Sequence, residues 1–369
     1  MSALKDLIAS RIRPDVQAMQ AYVVHDASGM VKLDAMENPY GLPPEYQAQL
    51  GQRLGALALN RYPGPGVHDL QAALRRFVPV PEGFDLMLGN GSDELISLLA
   101  LACARPPEAA CGFQKASVLA PEPGFVMYAM SAQWQGLDFH GVPLTADFEL
   151  DVPAMLAAIA RHRPAITYLA YPNNPSANLW DDAAMLAVVE AAGQAGGLVV
   201  IDEAYQPFAA KSWLDQLPRH CHVLLLRTLS KFGLAGVRLG YLVGPQALVA
   251  EINKVRPPYN VSVLNCEAAL FALEHADVFE AQAREIRAQR AMLMQALAKL
   301  PGVRVFPSEA NMILLRVPQA QKTFDGLVAH GVLVKNVSKM HSLLNNCLRL
   351  TVGTAPENRQ LLDALEASL

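Results

Sequence analysis

The sequence predicts an α/β protein, with a large domain built on a mostly parallel sheet flanked by helices and a smaller α+β domain beside it. Three observations carry that expectation. Apolar runs bounded by turn residues alternate with helical patterns through the middle of the chain: ASVLAPEPG, AITYLAYPNNP, GGLVVIDEAY, HVLLLRTLSK and GYLVGP. Runs continuous in Val, Ile and Leu suit strands buried on both faces of a parallel sheet. After the turn-rich RPPYN at residues 256–260 the texture changes to a long helical segment and then to short strands. Finally, 369 residues of which 52% are hydrophobic are enough for two domains with a sizeable core. The expected division is residues 45–260 for the large domain, and residues 1–44 with 261–369 for the small domain and its N-terminal arm.

The N-terminus, MSALKDLIASRIRPD, carries charge in every turn and lacks the apolar core of a signal peptide, which predicts a cytoplasmic protein. DLMLGNGSDELISLLALA reads as strand, glycine turn and helix, so the amides of Gly91, Ser92 and Asp93 sit at a helix N-terminus suited to a phosphate. An ordinary turn with Ser92 or Asp93 as N-cap is the plainer alternative. A dinucleotide fingerprint is poorly supported, because its third glycine is replaced by Glu94. The apolar LISLLALACA falls well short of the roughly 20 residues that span a bilayer.

AYPNNPSANLW follows a strand and holds Asn174 between prolines, a structural turn when taken alone. GGLVVIDEAY ends a strand on Asp202, with Tyr205 three residues on. VLLLRTLSKFGLAGVRLG puts Thr228, Ser230 and Lys231 just after another strand and Arg238 after a glycine-interrupted loop. Ligands of parallel sheets gather at the C-terminal ends of strands. A lysine there loses hydration, which lowers its pKa and frees its amine for Schiff-base chemistry. Beyond RPPYN, the segment from CEAALFALEH to ALAKL reads as helix, and VRVFP, NMILLRV and CLRLTVG read as short strands.

Charge and composition exclude several classes. The net charge is −4 with basic residues scattered, so no stripe selects nucleic acid or an anionic membrane. Five cysteines without a C-x-x-C pair read as reduced core residues, and the nine histidines show no ligand spacing, so no metal centre is expected. A strand-end carboxylate suits a pyridinium nitrogen, and beside a buried amine and a phosphate-binding turn it points to pyridoxal phosphate.

Taken together, LDAMENPYG, NRYPGPG, GNGSDE, PEPGFVMY, YPNNPSAN, VIDEAY, RTLSKFGLAGVRLGY, ANMILLRV and CLRLTVGT resemble, in order, the fold-type-I pyridoxal-phosphate aminotransferases, and within them the histidinol-phosphate aminotransferase family. The most diagnostic pair is SK-x(6)-R with DEAY placed so that Asp202 precedes Lys231 by 29 positions. The resemblance implies a seven-stranded-type sheet, and Lys231 as both the covalent anchor of the cofactor and the base that moves the proton. It implies Asp202 at the ring nitrogen, Tyr205 and Asn174 at the ring oxygen, and Phe125 on the ring face. Gly91, Ser92, Asp93, Ser230 and Arg238 would hold the phosphate, with Tyr62 reaching it from the neighbouring subunit of a homodimer. Arg349 matches the family's carboxylate-gripping arginine, and Lys335 stands where many relatives have a second arginine, losing its fork geometry. Asn38 and Tyr22 are implied at the substrate mouth or, equally, in structural roles. Met36 and Ser176 depart from the usual Asn and Thr.

The implied reaction is transamination of L-histidinol phosphate with 2-oxoglutarate, giving imidazole-acetol phosphate and L-glutamate. Rival readings are a threonine-phosphate decarboxylase, an aromatic amino-acid aminotransferase, and a regulator that has kept the fold without catalysis.

Overall fold

The computed structural model describes residues 2–19, 26–105 and 115–369. The first strand in the chain, β1 (Val31–Lys32), lies outside the main sheet. The next seven build that sheet: β2 (Phe84–Gly89), β3 (Ser117–Glu122), β4 (Asp138–Pro143), β5 (Ile166–Ala170), β6 (Leu198–Asp202), β7 (Val223–Thr228) and β8 (Gly240–Pro245). Their spatial order is β2-β8-β7-β6-β5-β3-β4. Neighbours from β7 to β4 run parallel, whereas β8 runs antiparallel to both β7 and β2. The mostly parallel expectation therefore holds with one reversed strand.

β5 and β7 are buried at every position, as continuous apolar runs require when helices cover both faces. Alternate residues of β7 divide between the faces. Val223 and Leu225 join the core under the helices Pro65–Phe77, Val152–His162 and Asp182–Gln194. Leu224 and Leu226 join the core under Ser92–Ala102, Met127–Trp134 and Gln246–Asn253. Strand ends Ala170, Asp202 and Leu226 stand side by side in register, so whatever follows β5, β6 and β7 emerges along one rim.

A second, antiparallel sheet contains β9 (Arg304–Val305), β10 (Met312–Arg316), β12 (Lys335–Asn336) and β13 (Cys347–Thr351), in the order β12-β13-β10-β9. The remaining strand, β11 (Val332–Leu333), pairs parallel with β1. The long helical stretch of the sequence is two helices, Val263–Glu274 and Ala276–Leu297. They separate at His275, whose backbone leaves the helical region at φ −117°, ψ 36° while its Nδ1 bonds the carbonyl of Phe271. The second helix, with Ala355–Ser368, covers the smaller sheet through Ile286, Leu293, Leu297, Leu361 and Leu365.

Candidate active site

The rim of the main sheet opens into a cavity of about 330 Å³, lined among others by Ser92, Asp93, Phe125, Asn174, Asp202, Tyr205, Ser230, Lys231 and Arg238. Residues scattered over nearly 150 positions of sequence thus face one space, because each sits just past a strand end or opens the following helix.

Asp202 ends β6 and is only 4% exposed. Its Oδ1 accepts from the amide of Ala204 at 3.0 Å and its Oδ2 from the Tyr128 hydroxyl at 2.7 Å. Burial raises its carboxyl to about 6, against the pull of both hydrogen bonds. Tyr205 is also buried, and burial holds its phenol above the ordinary value although Arg349 opposes this. The Asn174 side-chain amide donates to the Tyr205 hydroxyl at 3.2 Å, and Arg349 Nη1 donates to Asn174 Oδ1 at 2.8 Å.

After β7 the chain closes a wide five-residue turn, with the amide of Leu234 donating to the carbonyl of Leu229, and Gly233 breaks it at φ 140°. The turn aims Lys231 inward. Its Nζ donates to the carbonyl of Ala35 at 3.1 Å and stands 5.9 Å from the centre of the Tyr205 ring. Burial, reinforced by the nearby positive charge of Arg349, brings its amine down to about 8.

The glycine turn behaves as an anion cradle. Gly91 is the N-cap of Ser92–Ala102 at φ 81°, and no side chain caps that helix. Ser92 and Asp93 are therefore helical residues rather than caps, and the first amides of the helix have no intrahelical acceptor. A Cβ at Gly91 would lie 2.8 Å from Arg238 Nη2, and one at Gly240 would lie 2.7 Å from the amide nitrogen of Ser92. Arg238, itself at φ 53°, donates to Asp93 Oδ2 at 3.2 Å and to Ser230 Oγ at 3.4 Å. Glu94 turns back to accept from the amide of Asn90 at 2.6 Å.

A strap over residues 33–37 crosses the site. Met36 takes φ 53°, its amide donates to Thr351 Oγ1 at 2.9 Å, and its carbonyl accepts from Asn311 at 3.0 Å. The neighbouring Asp34 carbonyl accepts from Arg349 Nη2 at 2.7 Å.

The other nominated residues stand apart from the cavity. Arg349 reaches it through Asn174, and Lys335 faces Arg349 across the β12–β13 register. The Asn38 amide donates to the Phe232 carbonyl and to Gln282, so its contacts are those of a structural residue. Tyr62 is 78% exposed and stacks on Tyr259 with ring centres 4.6 Å apart. Tyr22 lies outside the described residues.

Sequence reasoning missed Tyr128, although PEPGFVMY places it three positions after Phe125 and so on the same helical side. It also passed over Glu203. That carboxylate, fully buried, accepts from Arg227 at 2.8 and 3.0 Å and from the amide of Trp213, bracing β6 against β7 beneath the site. The adjoining acidic pair of DEAY was a signal that one carboxylate points each way from the strand.

Residues 28–365 match the family described as aminotransferase class I and II. The chain belongs to that family. This aminotransferase is 68% identical over 364 residues to the histidinol-phosphate aminotransferase of Paracidovorax citrulli, covering 97% of each chain. It is 67% identical to that of Polaromonas naphthalenivorans, covering 100% of this chain and 99% of the relative. Among solved structures it resembles the histidinol-phosphate aminotransferase from Sinorhizobium meliloti in complex with pyridoxal-5'-phosphate, with TM-score 0.84, 25% identity and 97% of each chain covered. The rim of strand ends is the aminotransferase's only described space that joins Lys231, Asp202 and the Gly91 turn.

Proposed function

We propose that this aminotransferase uses pyridoxal phosphate to transfer the amino group of L-histidinol phosphate to 2-oxoglutarate, giving imidazole-acetol phosphate and L-glutamate. The observation that carries the reading is a single cavity holding a buried carboxylate, a buried amine of lowered pKa and a glycine cradle at a helix N-terminus. The names of the relatives at 68% and 67% identity support the substrate.

The residues fit the cofactor. Gly91 and Gly240 leave room that any Cβ would fill, so an anion can approach the first amides of the helix, with Arg238 and Ser230 beside it. Asp202 pairs with the ring nitrogen, Asn174 and Tyr205 donate to the ring oxygen, and Phe125 covers a ring face. When bound, the cofactor supplies an electron sink for charge developing at the substrate's α-carbon.

Lys231 anchors the cofactor and then acts as base, and an amine near 8 is substantially deprotonated at neutral to mildly alkaline pH. Its Nζ takes the proton from the α-carbon and delivers it on the opposite side of the same cavity. Arg349 presents its fork to the glutamate carboxylate in one half-reaction and to the phosphate ester in the other, with Lys335 adding charge from the facing position. The reading carries with it a cytoplasmic homodimer in which Tyr62 reaches the phosphate of the neighbouring site. In keeping with this, no helix among the described residues is long and apolar enough to cross a membrane.

Incubation of the holoenzyme with histidinol phosphate and 2-oxoglutarate tests the reading. Glutamate should form in step with the oxo product, and Lys231→Ala should lower the rate at least about a thousand-fold. Release of carbon dioxide without an amino acceptor, or borohydride tagging of another lysine, would overturn it.

A further inference from the structure

Tyr128 opens the helix Met127–Trp134 and is 2% exposed, in surroundings where a phenylalanine ring would pack as well. What distinguishes it from phenylalanine is the hydroxyl, and that hydroxyl has one destination, Asp202 Oδ2 at 2.7 Å. The ring is held from two sides. It stacks on Tyr168 with centres 4.3 Å apart and planes 7° apart, and Phe125 meets it edge-on at 5.6 Å. The hydroxyl of Tyr168 has no hydrogen-bond partner, so the stack rather than a polar network sets the ring's plane.

We infer that Tyr128 is a positioning residue for transamination: with the Ala204 amide it clamps the two oxygens of Asp202, fixing the carboxylate's orientation and keeping it available as an anion. The amide holds Oδ1 and the phenol holds Oδ2, so rotation about the last side-chain bond of Asp202 would break both bonds. Each oxygen keeps a lone pair for the ring nitrogen. Burial, with Asp202 beside it, holds the Tyr128 phenol far above its ordinary value, so it remains a donor across the working range. The charged groups that act on Asp202 besides this bond are Asp93 and Glu203, both of which favour its protonated form. The clamp therefore opposes burial and two like charges together.

This inference rests on the proposal that Asp202 meets the ring nitrogen, and the experiment separates the two. Apoenzyme is titrated with pyridoxal phosphate from about pH 5 to 9, following cofactor absorbance and protein fluorescence, for wild type, Tyr128→Phe and Asp202→Asn. Tyr128→Phe should weaken cofactor binding about ten-fold or more at pH 8, the usual size for a bond to a charged acceptor. The acid limb of its binding profile should move upward by about one unit, because Asp202 loses the donor that favours its anion. With cofactor saturating, kcat should fall while KM for histidinol phosphate stays near wild type. An unmoved acid limb, with or without a lower melting temperature of the apoenzyme, overturns the inference and leaves Tyr128 as packing. If Asp202→Asn also binds the cofactor as wild type does, the parent reading fails instead.

Discussion

Burial pushes Asp202 and Lys231 toward neutrality from opposite sides, and each shift has its own signature in stability. Asp202 has a folded pKa of about 6 against an ordinary 3.8, so the folded protein binds more protons than the unfolded chain between those values. Its contribution is present below about 3.8 and is lost as pH rises through about 6. Lys231, at about 8 against 10.5, does the reverse, and stability from this group increases as pH climbs through that window. Both groups are held at a cost that the cofactor offsets by meeting their charge. Asp202→Asn apoenzyme should therefore melt no lower than wild type at pH 8, and that relative gain should shrink toward pH 4. A clear drop in melting temperature at pH 8, measured by calorimetry, would contradict this. At this scale the sequence was legible where a residue's position along a strand defines its role, as for Asp202 and Lys231. It was opaque for Tyr128, whose role depends on a contact with a residue 74 positions away.

The glycine turn and the strand beside it form one unit. Gly89 pairs with Gly240 in the β2–β8 ladder, and Gly240 also pairs with Thr228 at the end of β7. The close approach of β8 to Gly91 and Ser92 allows the helix amides to lie at the rim. Gly240→Ala should push the turn outward, costing about 1–3 kcal/mol of stability and weakening cofactor binding together. Denaturant unfolding and cofactor titration check both, and loss of stability with unchanged affinity would detach the turn from the cofactor. Strand existence was readable from apolar runs, and so was the helix that follows Gly91. The direction of β8 was not, because GYLVGP buried on both faces has the same pattern whichever way it runs. Nor was the break at His275, since no proline or glycine marks it.

Across the whole molecule, two sheets with separate cores meet at the site: Lys231, Asp202 and Asn174 come from the main sheet, while Arg349 comes from β13. The ordered series of motifs made this assembly readable, since each motif closes a strand or opens a helix on the same rim. A dimer is harder to read from one chain, yet the stacked and exposed Tyr62 and Tyr259 suit a surface that a second copy covers. If Tyr62 serves the neighbouring site, mixing Tyr62→Ala with Lys231→Ala should restore about a quarter of wild-type activity, because mixed dimers hold one intact site. No recovery after verified subunit exchange would place Tyr62 at its own site or at none. The strap over residues 33–37 has a different consequence. Its Asp34 and Ala35 carbonyls, one peptide apart, engage Arg349 and Lys231. The protein thus carries its own resident competitor for both cations. A ligand is admitted only when its anion outbids a peptide oxygen, so weak carbonyl-bearing metabolites are screened out by the backbone before any side chain discriminates among them.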